Sequence, residues 1–259
     1  NEGFLTVGKN SDNKTAVRFF SEKTSYTVNL LTSDGKKDEK NCTGITTNDK
    51  YLYVADNEKR IDVYDLADFD GTKKSSVCIG YFETPIIPTV LTVNNDYFYV
   101  ATNYATNPVN DNSNTKKSKY GSCIISYRLD ISQTKTFGIK RTPNSLYSVP
   151  DGVKGICFTK DRLVLSIYTD GTSEIRAYNN QSLDYSRITI EDDALDIDVT
   201  VNHYVIDDDI LTNRVKTLPL TYDVACSNRK VVIVNDYASS KNFFGKFIFG
   251  LNYFYGYAI

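Results

Sequence analysis

Of 259 residues, none is tryptophan or methionine, and a single one, His203, is histidine. A lone imidazole excludes zinc sites built on paired histidines and the His-Glu-x-x-His protease helix. Charge of one sign is also lacking, because 30 basic side chains stand against 32 acidic ones, a formal charge of −2. Nucleic-acid binding draws on a basic face, so no nucleic-acid partner is expected. The sequence contains no Gly-x-Ser-x-Gly elbow, no phosphate-cradling glycine loop and no convincing 3.6-residue helical period. The nearest approach to a membrane span, Phe243–Ile259, is broken by Lys246 and Asn252. It is shorter than the roughly 20 residues that a helix needs and reads as aromatic strands, so no transmembrane segment is expected.

The missing methionine extends to the first residue, Asn1. This suggests that an upstream segment was removed, most simply a secretory signal peptide, and that the protein is secreted. Cys42, Cys78, Cys123, Cys157 and Cys226 fit an oxidising compartment. None has CxxC or other metal-ligand spacing, so disulfides are expected, with the pairing unspecified and one thiol left over or bridging to a second molecule. Five buried reduced thiols in a cytosolic protein are the alternative. Sequons at Asn13, Asn41 and Asn180 are glycosylation candidates, although an Asn-, Ser- and Thr-rich chain yields such triplets by chance.

What the chain does have is an internal repeat. Ile45–Val54 (ITTNDKYLYV) recurs as Leu91–Val100 (LTVNNDYFYV) and Ile156–Leu165 (ICFTKDRLVL), with a weaker copy at Val224–Ile233. Each is a short strand, a polar turn whose Asn and Asp tolerate left-handed backbone, and an aromatic or aliphatic strand. An Ile-x-small-Tyr strand follows the first three copies, at Ile61–Tyr64, Ile124–Tyr127 and Ile175–Tyr178. Val17–Phe20 matches that strand near the N-terminus and Phe247–Phe249 is a loose fifth copy. With twenty tyrosines and abundant β-branched residues, the unit is a sheet of about four antiparallel strands.

Copies begin at intervals of 46, 65 and 68 residues, whereas propeller blades run about 40–50, so the longer intervals must hold insertions. One is the polar run 102–120, an exposed loop. The other lies within 181–223 and contains strand-like segments or a degenerate blade. The expected fold is all-β: one propeller domain over 1–259, of about five four-stranded blades with six as fallback. Strand counting suggests that the C-terminal Tyr253–Ile259 closes the ring against the N-terminal blade.

The hairpin Gly44–Val54 followed by Arg60–Leu66 (RIDVYDL) resembles the blades of NHL- and YncE-like β-propellers over most of the chain. That resemblance implies the propeller fold and families that include extracellular binding proteins, lactonases and other hydrolases. Members of the calcium-dependent lactonase group place Glu, Asn and Asp around the central channel, a set with no residue-by-residue match here. Fold likeness alone does not assign function.

Asp192, Asp193, Asp207, Asp208 and Asp209 are the metal candidates, and calcium is the ion that such oxygen-rich stretches would take, with no other cofactor expected. Against this, Leu195–Val201 alternates acids with apolar residues, as an edge strand with one wet face does. His203 could act as a lone base for a cysteine, but nothing signals an activated thiol, and a structural histidine is the plainer reading. No catalytic residue is assigned. With no tryptophan available to stack a sugar, tyrosine would have to do so. Lys116, Lys117, Lys119 and Tyr120, at the end of the polar loop, are binding candidates, set against a partnerless surface insertion. These features favour a secreted non-catalytic binding or assembly module for protein or glycan partners, with self-association open. The alternatives are a propeller hydrolase (calcium-assisted lactonase or esterase, or glycosidase) and a structural subunit of an extracellular filament or coat.

Overall fold

The computed structural model describes residues 3–21, 23–103, 108, 119–181, 183–192, 196–217, 221–227, 230–235 and 255–258. Most of Thr102–Tyr120, including Lys116 and Lys117, lies outside them, as do Asp193 and the loose repeat copy Phe247–Phe249. The chain divides into two compact units. Unit 1 is Asn1–Ala101, Ile125–Asn144 and Glu191–Val199, and unit 2 is Thr102–Ile124, Ser145–Ile190 and Thr200–Ile259.

Among the described residues most are strand, with helical content confined to short 3-10 turns such as Leu66–Phe69. Four sheets have four or more strands. The first is β1 (Phe4–Lys9), β2 (Thr15–Phe20), β3 (Ser25–Leu31) and β7 (Ser75–Val77). The second is β4 (Gly44–Thr47), β5 (Tyr51–Ala55), β6 (Arg60–Asp65) and β8 (Gly80–Glu83). The third runs in the order β16 (Tyr185–Asp192), β17 (Ile197–Val205), β12 (Ile139–Val149), β11 (Ser122–Leu129), β10 (Tyr97–Thr102), β9 (Val90–Asn94). In the fourth, β13 (Val153–Phe158), β14 (Arg162–Thr169), β15 (Thr172–Asn179) and β18 (Leu211–Thr217) are neighbours in that order. The remaining β19 (Thr221–Ser227), β20 (Lys230–Asn235) and β21 (Tyr255–Ala258) make three strands.

The structure therefore has four blades, not about five or six. Nor does the C-terminal strand close a ring: β21 pairs antiparallel with β20, Val231 opposite Tyr257. That edge is the nearest unsatisfied row of backbone groups in its own hairpin, and pairing there satisfies the strand locally.

Each repeat hairpin folds in the same register. Ile45 faces Val54, Leu91 faces Val100, Ile156 faces Leu165 and Val224 faces Ile233. Two turn mechanisms serve them: Asn95 takes the left-handed backbone at φ 50°, whereas the Asn48 side-chain oxygen accepts from the backbone N–H groups of Lys50 and Tyr51. The third-strand tyrosines Tyr64, Tyr127 and Tyr178 are completely buried, each contributing about 1.5–3 kcal/mol of apolar burial.

The first residue of two repeat hairpins is a glycine because another backbone runs against it. A Cβ on Gly44 would lie 3.0 Å from the Leu91 nitrogen, and one on Gly155 would lie 2.6 Å from the Val224 nitrogen. In both cases the neighbour is the corresponding position of the next repeat, so opening strands meet backbone to backbone.

In two places the chain between the third and fourth strands of a sheet is lent to another sheet. After β6 the chain leaves its own sheet, and β7 pairs parallel to β3 of the first sheet before β8 returns as the fourth strand. After β15 the hairpin β16–β17 likewise departs, β17 pairing parallel to β12, before β18 returns as the fourth strand. Within the apparent insertion at 181–223, β16 and β17 are thus strand lent to another sheet, while β18 completes its own.

Charge follows the same repeat. Arg60 donates to Asp62 at 2.6 Å, and at the equivalent strand positions Arg176 lies 2.9 Å from Glu174, the charges reversed. Lys40, from the linker before β4, adds bonds of 2.7 Å to the buried Asp56 and 2.8 Å to Asp62. Burial opposes the Lys40 charge, but hydrogen bonds to Asp56 and Asp62 outweigh it and push its pKa up to about 12.

Gly155→Ala is expected to destabilise the protein by about 1–3 kcal/mol in urea unfolding, because backbone must move to admit the methyl group. Gly8→Ala, with nothing within 4 Å, should be neutral or slightly stabilising.

Candidate functional site

The lent hairpin of unit 2 has one dry and one wet face. Ile188, Ile190, Val201 and His203 point inward and are buried. By alternation Tyr185, Arg187 and Thr189 of β16 share the outer face with Thr200, Asn202 and Tyr204 of β17. Parallel pairing with β12 sets Tyr147 opposite Tyr204. Their rings stack with centroids 4.8 Å apart and planes 15° from parallel, and Tyr185 continues the row at 5.8 Å and 52°.

Three tyrosines therefore run across three adjacent strands. Tyr185, at the sheet edge, is 59% exposed, and Val205 beside the row is 41% exposed. Aromatic pairs across strands stabilise a sheet by about 0.5–1.5 kcal/mol each, which accounts for the inner two rings. An exposed terminal ring adds little to that and leaves a free π-face. Exposed Arg187 and the hydroxyls of Thr189 and Thr200, 3.4 Å apart, continue the same face along the strands with hydrogen-bonding groups.

Behind this row, His203 is 5% exposed, with Nε2 2.9 Å from the Ser148 Oγ and Nδ1 3.5 Å from the Ser186 Oγ. Ser148 is wholly buried, and a hydroxyl rather than a carboxylate faces Nδ1. Desolvation pulls the imidazole pKa below its ordinary value, so the ring is neutral at pH 7. Two hydroxyls satisfy a neutral ring well and an imidazolium poorly, which makes His203 a structural residue holding β12, β16 and β17 together.

The other candidates are distributed as follows. Asp192 is buried on β16, whereas Asp207 caps the 3-10 turn Asp208–Ile210 by accepting from the Asp209 N–H at 3.1 Å. Among the described residues no group of three or more His, Cys, Asp or Glu is placed to hold a metal ion. Lys119 lies over the Tyr120 ring at 4.9 Å. Its hydrogen bond to Tyr120 raises its pKa, helped by the charges of Asp207 and Asp208. Sequon residues Asn13 and Asn41 are exposed, and Asn180 is half-buried, its N–H donating to the Asp161 carbonyl.

Of the five cysteines, Cys157 and Cys226 are joined across β13 and β19, Cα atoms 5.8 Å apart. Cys42, Cys78 and Cys123 are thiols, not partners in a second bridge. Burial raises all three, Cys42 to about 12, so none is a ready nucleophile. His203 faces serine hydroxyls rather than a thiol.

Sequence reasoning missed Tyr147, Tyr185 and Tyr204 as a group. The sequence marks strand-like segments within 181–223, but only the parallel register to β12 aligns the three rings.

The fold belongs to the all-β class of propeller-type blades. No protein-family model matches the chain, and no curated protein is significantly similar to it. The solved structure of the computationally designed Ika4 protein is similar at 9% identity and TM-score 0.36, over 76% of this chain and 86% of that one. For the computationally designed Ika8 protein the values are 10% and 0.38, over 88% of this chain and 54% of that one. Myxococcus xanthus glutaminyl cyclase gives 7% and 0.46, over 90% and 82%. Likeness of this degree transfers no activity.

A neutral buried His203 has a signed consequence. Its folded pKa lies below the unfolded value near 6.5, so the unfolded chain binds the extra proton first as pH falls. Its contribution is fully present above about pH 6.5 and is lost as pH drops through that value towards the folded pKa. His203→Gln should flatten the fall in thermal midpoint as pH drops below about 6.5 relative to the native protein, as followed by circular dichroism.

Proposed function

We propose that this chain is a non-catalytic binding module of an oxidising, extracellular compartment, and that it takes glycans on the tyrosine row Tyr147–Tyr204–Tyr185. The observation that carries this reading is the exposed Tyr185 ring at the end of a stacked row on a rigid sheet. A pyranose presents an apolar face of C–H groups to such a ring and hydroxyls to its surroundings. Arg187, Thr189, Thr200 and Asn202 supply donors and acceptors around it. The Cys157–Cys226 disulfide supports the oxidising compartment.

Size favours a glycan over a protein partner for this face. Three adjacent strands span about 10 Å between the outer two, so over about five residues of strand, about 17 Å, the face covers about 170 Å², well below the roughly 800 Å² that a stable protein interface buries on each side. A sheet surface also needs no closure to bind, so little conformational entropy is lost.

Screening the intact protein on immobilised glycans, followed by calorimetric titration of the best binder, tests the reading. Tyr185→Ala should weaken binding about tenfold or more, corresponding to about 1.4 kcal/mol. Tyr185→Phe should stay within about threefold, since the π-face is kept. Equal binding by Tyr185→Ala, or cleavage of the bound glycan, would contradict it.

A further inference from the structure

We infer that unit 1 carries an oxyanion-binding pocket, separate from the tyrosine row, that takes a small ligand bearing a sulfate or phosphate ester. The site is an open cavity of about 460 Å³ at the β11–β12 turn, lined by Arg128, Gln133, Lys140, Arg141, Thr142 and Asn144. A volume of this order suits a sugar or another ligand of similar size.

No carboxylate lines the cavity, although acids outnumber bases in the chain as a whole. Three cations share its wall, two of them guanidinium forks whose geometry matches a tetrahedral or planar oxyanion. Gln133, Thr142 and Asn144 can add neutral donors. Nearby acids are largely engaged. Asp130 accepts from the Ser132 N–H and hydroxyl and from the Gln133 amide, and Glu83 lies 3.1 Å from Arg141. Arg128 and Lys140 have no ion pair within 4.0 Å among the described residues. With Glu83 paired to Arg141 alone, Arg128 and Lys140 are left for a bound oxyanion to draw on.

The wall is held in place beforehand. Phe137 takes the left-handed backbone at φ 54° and Gly138 follows at φ 78°, which turns the chain sharply into β12. The Asp130 N–H closes the turn on the Gly138 carbonyl at 2.8 Å. Tyr53 donates its hydroxyl to the Phe137 carbonyl at 2.7 Å, and the Tyr51 ring meets the Phe137 ring edge-on at 5.7 Å. These contacts pin the turn to the second sheet, so Arg128 and Lys140 need little reordering to receive a ligand. Glu83 is the built-in competitor, because it occupies the Arg141 guanidinium while the pocket is empty.

The test is calorimetric titration of the whole chain with a sulfated disaccharide and, separately, a phosphorylated one, each against its neutral parent. The charged ligand should bind at least about tenfold tighter than the parent and weaken as salt rises from about 50 to about 300 mM. Lys140→Gln and Arg128→Gln should each weaken it about fivefold or more, with the thermal midpoint unchanged because both side chains are exposed. Glu83→Gln should tighten it about two- to fivefold by releasing Arg141. Preference between the two esters identifies the natural oxyanion, and either supports the site. Equal binding of the neutral parent, or affinity indifferent to Lys140, Arg128 and Glu83, overturns it. Tyr185→Ala should leave this binding intact, so the pocket and the tyrosine row stand or fall separately.

Discussion

The parallel pairing of a lent strand with the outer strand of another sheet is the constraint from which the rest follows. A four-stranded blade ends in an edge whose backbone groups must find partners. Here β7 covers β3 and β17 covers β12, each supplied by chain that continues into its own blade afterwards. The edges of β3 and β12 are thus paired, the lent strands β7 and β16 becoming the outer ones, and blades are joined by hydrogen bonds between strands.

The same device explains where the functional features sit. A lent hairpin is anchored on one side only, so its outer face stays wet while its inner face must be dry. His203, Val201 and Ile190 fill the dry side, and the tyrosine row grows on the wet one. Parallel register makes Tyr204 lie level with Tyr147, and no local turn could produce that alignment. The buried imidazole fits this role: with hydroxyls on both nitrogens, it ties the lent strands to β12 through polar contacts that apolar packing alone would not orient.

Much of this was legible in the residues. Periodicity and Asn- or Asp-bearing turns identified the repeat hairpins at Ile45, Leu91, Ile156 and Val224, whose ends pair as their patterns require. Ile-x-small-Tyr located the buried third strands. Alternation shows which face of a strand is dry, but it does not show which strand lies beside it. Hence β16–β17 read as an insertion or a degenerate blade, the source of the six-blade fallback, while the count of about five rests on five copies of the third-strand pattern, Phe247–Phe249 among them. Ring closure failed for a related reason, since an unassigned C-terminal strand has several edges of similar chemistry to choose from. The disulfide partner of Cys157 depends on long-range packing, to which spacing along the chain is blind.

Hydrogen–deuterium exchange of the intact protein, with and without a saturating glycan ligand, tests the central claim most directly. Amides of 185–190 and 200–205 should gain protection, because a ligand on the wet face suppresses opening of the lent hairpin. Unchanged exchange there, with protection confined to other segments, would contradict the assignment of binding to the tyrosine row.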